Sequence, residues 1–405
     1  MTTTENPRPV ELARTGFGPA PDAEALRAQR GVARVPTPFG PQAHLLTRHA
    51  DVRRMLGDAE SFRNGWGPEN LPGGPRRDPR QLSGDRTGNL LSLDPPDHTR
   101  LRRLLTPEFT VRRMRRLEPR IVEIVDEHLD ALERHGPPAD LVAGYALPIP
   151  SLVICELLGV PPADQEEFQT RTARQLDTTL GEQEKVELAA EALAYMQDLV
   201  ARARRDPGED LLGMLIREHG SAGEDGALTD AELVGIANLL LVAGHETTSN
   251  MLALGTLALL RHPDQLATVR DDPDAVPGAV GELLRWLSIV NSGSPRLAAR
   301  DVEIDGSTIR AGELVLFNLP AANRDPEITD DPDRLDITRR ATNHVAFGHG
   351  IHHCLGAPLA RMEMRVAFPA LLRRFPDLRL AVPEDRVAWA TQKAIFGLEE
   401  LPVAW

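Results

Sequence analysis

Hydrophobic positions recur at helical spacing along most of this chain. Helices are expected in residues 51–57, from 98 to about 220, and in 355–374. The strongest signal begins at Thr229-Asp-Ala-Glu232, a capping box, and no proline follows it until Pro263. A helix of about 30 residues would measure roughly 45 Å, so we expect this one to cross the whole molecule.

Strand-like patterns occupy three limited regions. They are residues 33–50, which resemble a hairpin with Gly40 near its turn, 296–315 with a turn at Gly306, and 378–405. Residues 63–89 and 320–350 lack either pattern and predict loops. Since no repeat or interdomain linker stands out, we predict one domain over 1–405, mainly α with minor β. Residues 1–25, rich in Pro and Thr, are expected to be loosely ordered.

Composition narrows the possible functions. The chain has 405 residues, of which 41% are hydrophobic and 26% charged, as in ordinary globular proteins. Its net charge of -14 argues against binding to nucleic acid or to an anionic membrane surface. Two cysteines exclude a disulfide scaffold and suit a reducing compartment. There is neither a secretory apolar region nor an apolar run of about 18 residues, so we expect a cytoplasmic protein without a membrane span.

One segment carries a distinctive chemistry, Phe347-Gly-His-Gly-Ile-His-His-Cys354-Leu-Gly356. Its glycines permit tight turns and close approach to a flat partner. The helix expected after Cys354 favours a thiolate through its dipole and free amides. These residues alone leave open a buried free cysteine or a zinc site that uses the nearby histidines. The spacing fits zinc poorly, because there is no Cys-x-x-Cys and no second ligand pair.

The segment is similar to F-G-x-G-x-H-x-C-x-G, the haem-binding signature of the cytochrome P-450 superfamily. The chain most resembles soluble bacterial members, in particular actinomycete enzymes that oxidise secondary metabolites or foreign compounds. The resemblance implies a triangular prism of helices around haem b (iron protoporphyrin IX), with a small β-rich region. It implies that Cys354 is the axial iron ligand and that His352 bonds a haem propionate. Phe347 would pack against the loop, and Gly348 and Gly356 would border the cofactor.

Two further motifs agree with this resemblance. His98 and Arg102 lie one helical turn apart and face the same way, which suits one anion but also fits an exposed basic helix face. The resemblance implies that both bind haem propionates, together with Arg296. Glu282-Leu-Leu-Arg285 could by itself be a weak surface salt bridge. The resemblance implies a buried structural pair completed by Arg339.

The long helix contains Ala243-Gly244-His245-Glu246-Thr247-Thr248. Polar side chains in an apolar helix are costly unless they serve a purpose, although Thr can also bend a core helix by bonding to a backbone carbonyl. The segment is similar to A-G-x-[D/E]-T-T. The resemblance implies that Thr247 assists oxygen activation through hydrogen bonds and water, and that Glu246 relays protons. Ala243 and Gly244 would border the haem, while His245 has no implied role.

The source of electrons is the next question, since no flavin or nicotinamide fingerprint is present. Between Arg100 and Arg120 there are eight arginines and two acidic residues, which could be a solvated helix face. The resemblance places this stretch near the cysteine loop. A basic patch there would attract an acidic ferredoxin, so we expect a ferredoxin and an NAD(P)H ferredoxin reductase as partners.

The resemblance implies a monomeric monooxygenase that inserts one oxygen atom from O2 into a C–H bond, by hydroxylation or epoxidation. A medium-to-large apolar substrate such as a polyketide or macrolide is expected. Oxidative phenol coupling, peroxygenase chemistry and a non-enzymatic domain without haem stay open as alternatives, although Glu246 and Thr247 argue against a peroxygenase. The implied substrate pocket comprises Leu240, Ala243, Gly244, Ile289, Val290, Asn291, Ile395 and Phe396.

Overall fold

The computed structural model describes residues 14, 16–28, 32–37, 42–64, 87–168, 170, 181–220, 227–291, 295–339, 343–390 and 395–405. Its α-helices, in chain order, are α1 (Pro21–Ala28), α2 (His49–Gly57), α3 (Asp97–Leu105), α4 (Val111–His135), α5 (Pro148–Leu158), α6 (Glu182–Arg205), α7 (Leu211–His219), α8 (Asp230–Leu260), α9 (Pro263–Asp271), α10 (Val276–Leu287), α11 (Leu319–Asn323) and α12 (Ala357–Arg374). The expectation of a mainly α protein is confirmed.

The long helix α8 forms the centre of the molecule. Thr229 Oγ1 accepts a hydrogen bond from the N–H of Glu232, and the Glu232 carboxylate accepts one from the N–H of Thr229, so the predicted capping box is present. The helix spans 31 residues and packs against α5, α6 and α12. Its C-terminal half is buried on every side, as expected for a helix without an amphipathic stripe.

The strands are short and gather into small sheets. They are β1 (Ala33–Pro36), β2 (Gln42–Leu46), β3 (Phe62–Arg63), β4 (Ala139–Asp140), β5 (Arg296–Ala298), β6 (Val302–Ile304), β7 (Ser307–Ile309), β8 (Leu314–Phe317), β9 (Arg379–Leu380), β10 (Trp389–Ala390), β11 (Gly397–Leu398) and β12 (Pro402–Ala404). Among the described residues, the largest sheet has the order β1-β2-β8-β5-β3. The others are β4-β12-β9, β10-β11 and β6-β7.

The strand pairing of both predicted hairpins can be compared with the structure. β1 and β2 pair antiparallel, with Ala33 opposite Leu45, which confirms the first hairpin; the expected turn at Gly40 lies outside the described residues. β6 and β7 also form a hairpin. Its turn at Asp305 and Gly306 has φ of 44° and 79°, a combination that suits the tight turns of hairpins.

Part of the N-terminal segment is well packed, in contrast to the expected loose segment over 1–25. Arg14 is buried, and its guanidinium donates hydrogen bonds to the carbonyl oxygens of Phe17, Leu287 and Ser288. A buried arginine satisfied by distant carbonyls has no signal in a polar, Pro-rich sequence. Residues 1–13 and 15 lie outside the described part of the chain.

Other differences from the expected elements are small. Helix α2 begins two residues earlier than predicted, and α12 begins two residues later, with Gly356 at its N-cap. The predicted loop over 320–350 includes α11, whose N-terminus is capped by the Asn318 side chain. Most of the predicted 63–89 loop lies outside the described residues. Within the described residues, no helix combines the length and apolarity that a membrane span requires.

Candidate functional site

Cys354 lies at the end of a tightly closed loop that leads into α12. Its backbone N–H donates to the carbonyl oxygen of Phe347 at 2.9 Å. Gly348 and Gly350 have φ of 70° and 71°, a conformation that other residues rarely adopt. A Cβ on Gly350 would overlap the carbonyl of Leu56 at the end of α2. The glycines therefore let the loop turn back on itself and pack against α2.

The thiol of Cys354 is subject to opposing influences. Although part of the side chain is accessible, burial is the largest influence and raises the pKa of Cys354 above its ordinary value. The N–H groups of Gly356 and Ala357 at the start of α12 lower the pKa, and so do the charges of Arg102 and Arg361. The expected effect of the helix start is present but does not outweigh burial. Binding of a metal ion would stabilise the thiolate, because the metal takes the place of the thiol proton.

Phe347 begins this loop, and its ring packs against a residue that the sequence analysis did not identify. The guanidinium of Arg361 lies 4.5 Å from the centroid of the Phe347 ring, a cation–π distance. Arg361 is the fifth residue of α12 and lies seven residues after Cys354. That spacing is the sequence signal that could have indicated a cation beside the cysteine loop.

Four basic side chains from three segments of the chain converge near Cys354. The ring centroids of His98 on α3 and His352 lie 4.3 Å apart. Burial, followed by the charges of Arg296, His98 and Arg102, lowers the pKa of His352 to about 3. Burial also lowers the pKa of His98, again with contributions from both arginines. The structure thus brings together the four residues that were expected to bind propionates.

This cluster has the properties of an anion site. Both ring nitrogens of His98 are buried and lack a hydrogen-bond partner among the described residues. Burial lowers the pKa of Arg296 to about 10, and Asp94 opposes that effect. Buried polar nitrogens that lack a partner are costly, and buried positive charges attract anions. Two carboxylates would satisfy them, and Cys354 offers a thiolate nearby, so the donor set fits haem.

The predicted structural triad is assembled, and its Glu282–Arg285 pair is buried. Arg285 donates to both carboxylate oxygens of Glu282 at 2.8 Å, and the two side chains are 0% and 2% exposed, which excludes a surface salt bridge. Arg339 Nε donates to Glu282 Oε1 at 3.2 Å. Arg285 also donates to the carbonyl oxygens of Asn323 and Pro332. The triad therefore ties α10 to the segment that precedes the cysteine loop.

Helix α8 presents an accessible stripe at its middle. Ala243 is exposed, while Glu246 and Thr247 are partly exposed. Thr247 Oγ1 donates to the carbonyl oxygen of Ala243 at 2.7 Å, so its hydroxyl hydrogen is engaged and its oxygen can accept a further bond. Val242 belongs to the same stripe and is 51% exposed. The sequence analysis missed it, since an apolar residue in an apolar helix carries no distinguishing signal.

The two residues between these positions have other surroundings. A Cβ on Gly244 would lie 2.5 Å from Ile154 Cδ1 on α5. Close packing of α8 on α5 therefore explains this glycine, where we expected the approach of a flat partner. His245 is buried, which lowers its pKa to about 4 and keeps it neutral at pH 7.

The expected pocket residues outside α8 divide into two groups. Val290 and Ile395 form a bridge and are partly accessible. Ile289, Asn291 and Phe396 are at most 6% exposed. Side chains alternate along extended chain, so neighbours of Val290 and Ile395 point into the core. The structure places Val290 and Ile395, and not these three neighbours, where a ligand could touch them; within α8, Leu240 is also buried at 9% exposure.

The arginine-rich stretch separates into paired and unpaired residues. Arg100 pairs with Glu232, Arg113 with Glu108 and Arg120 with Glu156. Arg102 lies beside Cys354. The remaining four are exposed and form no ion pair within the described residues. We call these four the basic patch: Arg103, Arg112, Arg115 and Arg116.

Comparisons with known proteins agree with this geometry. The family model described as Cytochrome P450 matches residues 182–389. Cytochrome P450 FAS1 of Rhodococcoides fascians is 48% identical over 98% of both chains. The mycinamicin IV hydroxylase/epoxidase of Micromonospora griseorubida is 44% identical over 94% of both.

A solved structure extends the similarity to the whole fold. It is OxyC, described as a cytochrome P450 implicated in an oxidative C–C coupling reaction during vancomycin biosynthesis. OxyC is 41% identical, with a TM-score of 0.87, and the match covers 97% of this chain and 96% of that one.

Proposed function

The chain belongs to the cytochrome P450 family and is a P450 monooxygenase, and on this premise we propose its cofactor, partner and substrate class. Cys354 would hold the iron of haem b through its thiolate. The enzyme inserts one oxygen atom from O2 into a C–H bond of a medium-to-large apolar secondary metabolite. The observation that carries the proposal is the convergence of His98, Arg102, Arg296 and His352 beside the Cys354 loop.

The residues around the loop would hold the cofactor from two directions. The basic cluster would bind the propionate carboxylates, because the unpaired ring nitrogens of His98 and the positive charge of Arg296 both attract an anion. Cys354 would supply the thiolate that holds the iron, a ligand type suited to oxygen activation. Bound haem supplies the redox chemistry of oxygen transfer, whereas the protein positions, protonates and excludes.

The accessible stripe of α8 supplies the groups that handle protons. The hydroxyl hydrogen of Thr247 is held by the Ala243 carbonyl, so its oxygen accepts a hydrogen bond from a water or ligand beside the helix. Glu246, one residue before it and partly exposed, exchanges protons with solvent. We assign Thr247 to hydrogen bonding at the oxygen-activation site and Glu246 to proton delivery.

Electrons come from a separate protein that docks on the basic patch. Its four arginines are exposed and lie at the end of α3 and the start of α4, and α4 packs along α12. Helix α12 begins directly after the Cys354 loop, so the patch borders the thiolate side. Positive charge there suits an acidic ferredoxin, reduced in turn by an NAD(P)H ferredoxin reductase.

The substrate faces apolar side chains from two elements. Val242 contributes from α8, and Val290 and Ile395 contribute from the bridge. An apolar wall suits a polyketide or macrolide, and the name of the mycinamicin relative records hydroxylation and epoxidation of that protein's own substrate. Oxidative coupling is the second candidate, favoured by the 41% identity to OxyC.

The haem-thiolate assignment is tested by the spectrum of the reduced, CO-bound protein. We expect a Soret band shifted to the red, as a thiolate ligand produces, and its loss in Cys354→Ser. Cys155→Ala is the matched control, because Cys155 is the other cysteine and lies buried on α5. A wild-type spectrum without the shift, or a shift that persists in Cys354→Ser, would refute the assignment.

The reaction type is tested by product mass after turnover under 18O2. Spin-state titrations of the ferric protein with macrolides, other polyketides and phenolic peptides select the substrate. Hydroxylation or epoxidation adds one labelled oxygen atom, whereas coupling removes two hydrogen atoms and adds no label. A coupled product would replace the first candidate by the second.

A further inference from the structure

Asn64 forms a hydrogen bond with His352 that none of the sequence motifs indicated. We propose that Asn64 is a positioning residue, which holds His352 in the tautomer with its proton on Nδ1, so that the ring donates to a carboxylate of the cofactor. The proposal rests on the proposed haem site. Asn64 would thereby determine which ring nitrogen of His352 donates a hydrogen bond to the haem propionate.

The first step concerns the orientation of the Asn64 amide. Asn64 Nδ2 lies 3.0 Å from the carbonyl oxygen of Leu93 and 2.8 Å from Nε2 of His352. A carbonyl oxygen only accepts hydrogen bonds, so the group facing Leu93 must be the NH2 of the amide. The opposite orientation would place two oxygens against each other. Leu93 therefore settles which end of the amide faces the histidine.

The second step follows for the imidazole. The remaining hydrogen of Asn64 Nδ2 points at His352 Nε2, so this nitrogen accepts and carries no proton. A neutral imidazole then has its proton on Nδ1, because the bond made by one ring nitrogen sets the role of the other. Protonation of Nε2 would place two donors face to face. His352 thus offers a donor without adding a charge beside Arg102 and Arg296.

The third step is what keeps Asn64 in place. Its side chain is buried, and its backbone N–H donates to Asp94 Oδ1 at 2.9 Å. Asn64 directly follows β3, which pairs with β5, the strand that begins with Arg296. His352 belongs to a 3₁₀ turn (Gly350–His352) that packs against α2. Both partners are therefore held by ordered elements, as a positioning contact requires.

The arrangement has a consequence for the cluster. Within the described residues, the structure gives His352 no hydrogen bond through Nδ1, so that nitrogen is the one left for a ligand. Without Asn64, a neutral imidazole divides between two tautomers. Only the form with Nδ1–H donates from the nitrogen that is turned away from Asn64. Because Asn64 fixes the tautomer before the cofactor binds, no free energy is lost in selecting it during binding.

The tautomer is measured directly by NMR of the ferrous CO-bound holoprotein, which is diamagnetic, with 15N-labelled histidine. Long-range 1H–15N spectra distinguish Nδ1–H from Nε2–H rings, and the spectrum of His352→Gln assigns the signal. We expect the Nδ1–H pattern in wild type. Asn64→Asp presents an acceptor, so we expect the Nε2–H pattern there. Asn64→Leu removes both bonds, so we expect a mixture.

A second readout is the rate of haem transfer to apomyoglobin. We expect both Asn64 variants to release haem roughly tenfold faster, the effect of weakening one hydrogen bond to a charged group. Asp94→Asn is the matched control, because it keeps an acceptor for the Asn64 N–H and removes only the charge. Its His352 should keep the Nδ1–H pattern.

An Nε2–H pattern in wild type would overturn the proposal, and so would Asn64 variants with unchanged tautomer and unchanged haem release. These outcomes differ from a failure of the proposed function. If the CO spectrum lacked the thiolate shift, the haem site would be wrong. The ring pattern of His352 could then still be recorded in the apoprotein, where it reports on the Asn64 contact alone.

Discussion

At the scale of single residues, the proposed chemistry uses Cys354 and Thr247. The surroundings of the first affect its protonation, and those of the second affect its hydrogen bonding. Cys354 lies where burial favours the thiol while two backbone amides and two guanidiniums favour the thiolate. The Thr247 hydroxyl donates its hydrogen to the Ala243 carbonyl, so towards any further partner it can only accept a hydrogen bond. In both cases the sequence motif identifies the residue, and the local contacts determine its protonation or its hydrogen-bonding role.

Replacement of Thr247 tests the acceptor role. Thr247→Ala should divert electrons from product to hydrogen peroxide and lower the coupled fraction by roughly tenfold, since one directed hydrogen bond is lost. Thr247→Ser keeps the hydroxyl and should stay near wild type. The measurement is product and peroxide formed per NAD(P)H consumed. Equal coupling in Thr247→Ala and wild type would show that Thr247 has no role in oxygen activation.

Glu363 on α12 predicts a pH dependence of stability. It is buried, its Oε2 has no hydrogen-bond partner among the described residues, and burial raises its pKa from 4.5 to about 8. Between these values the folded chain holds a proton that the unfolded chain has lost. Stability is therefore fully present at low pH and falls as pH rises towards about 8.

The substitution Glu363→Gln should remove this dependence. The variant should gain stability relative to wild type on going from about pH 5 to about pH 8, by roughly 2–4 kcal/mol. Urea unfolding at both pH values measures the difference. Glu399→Gln, an exposed carboxyl near the C-terminus, is the control and should show no such trend. A parallel pH dependence in wild type and Glu363→Gln would contradict the expectation.

At the scale of elements, close packing of α8 on its neighbours decides which side of the helix is accessible. Gly244 allows α5 to approach closely enough for Ile154 to contact the helix backbone. Val242 lies two residues before Gly244, on the side of the helix turned away from α5, and it is 51% exposed. A glycine in the middle of a helix costs about 1 kcal/mol relative to alanine. Here that cost is offset by the approach of α5.

The packing of Gly244 is tested by a double-mutant cycle. Gly244→Ala should destabilise the protein by about 1–3 kcal/mol, as overpacking does, because its Cβ would meet Ile154 Cδ1. Ile154→Val removes that atom. The double variant should therefore lose less stability than the sum of the two single variants, measured by chemical denaturation. Strict additivity would show that the two residues do not contact each other.

At the scale of the whole molecule, the basic patch contrasts with a net charge of -14. Acidic residues on the rest of the surface would repel an acidic partner. The basic patch would therefore both attract such a partner and orient it. The paired arginines in the same stretch, such as Arg113 with Glu108, contribute less to this field. The proposed ferredoxin would therefore be oriented mainly by the four arginines that form no ion pair within the described residues.

Charge reversal tests the docking surface. A combined Arg112→Glu, Arg115→Glu and Arg116→Glu variant should slow the first electron transfer from ferredoxin by roughly tenfold to a hundredfold at low salt. Raising the salt concentration should narrow the difference from wild type. Arg373→Glu is the control, because this exposed residue lies at the far end of α12. Stopped-flow reduction under CO measures the rate; unchanged reduction would place the partner elsewhere.

Much of the site was predictable from the sequence because its chemistry is local. The Cys354 loop needs its glycines for positive φ and close approach, and a capping box with no proline after it specifies the long helix. The Glu282 and Arg285 pair lies one helical turn apart. Each of these signals depends on residues within a few positions of one another, so spacing alone reveals it.

Tertiary structure decided the features that depend on contacts between distant segments. Asn64 reaches His352 across 288 positions of sequence, and Arg14 reaches Leu287 across 273. The accessibility of Val242, and the burial of Asn291 and Phe396, depend on which neighbours cover them. By itself the sequence determined the cysteine loop, the central helix and the basic residues that we propose to bind the propionates. Only the fold decided which of these polar atoms are paired, because pairing requires two segments to meet in space.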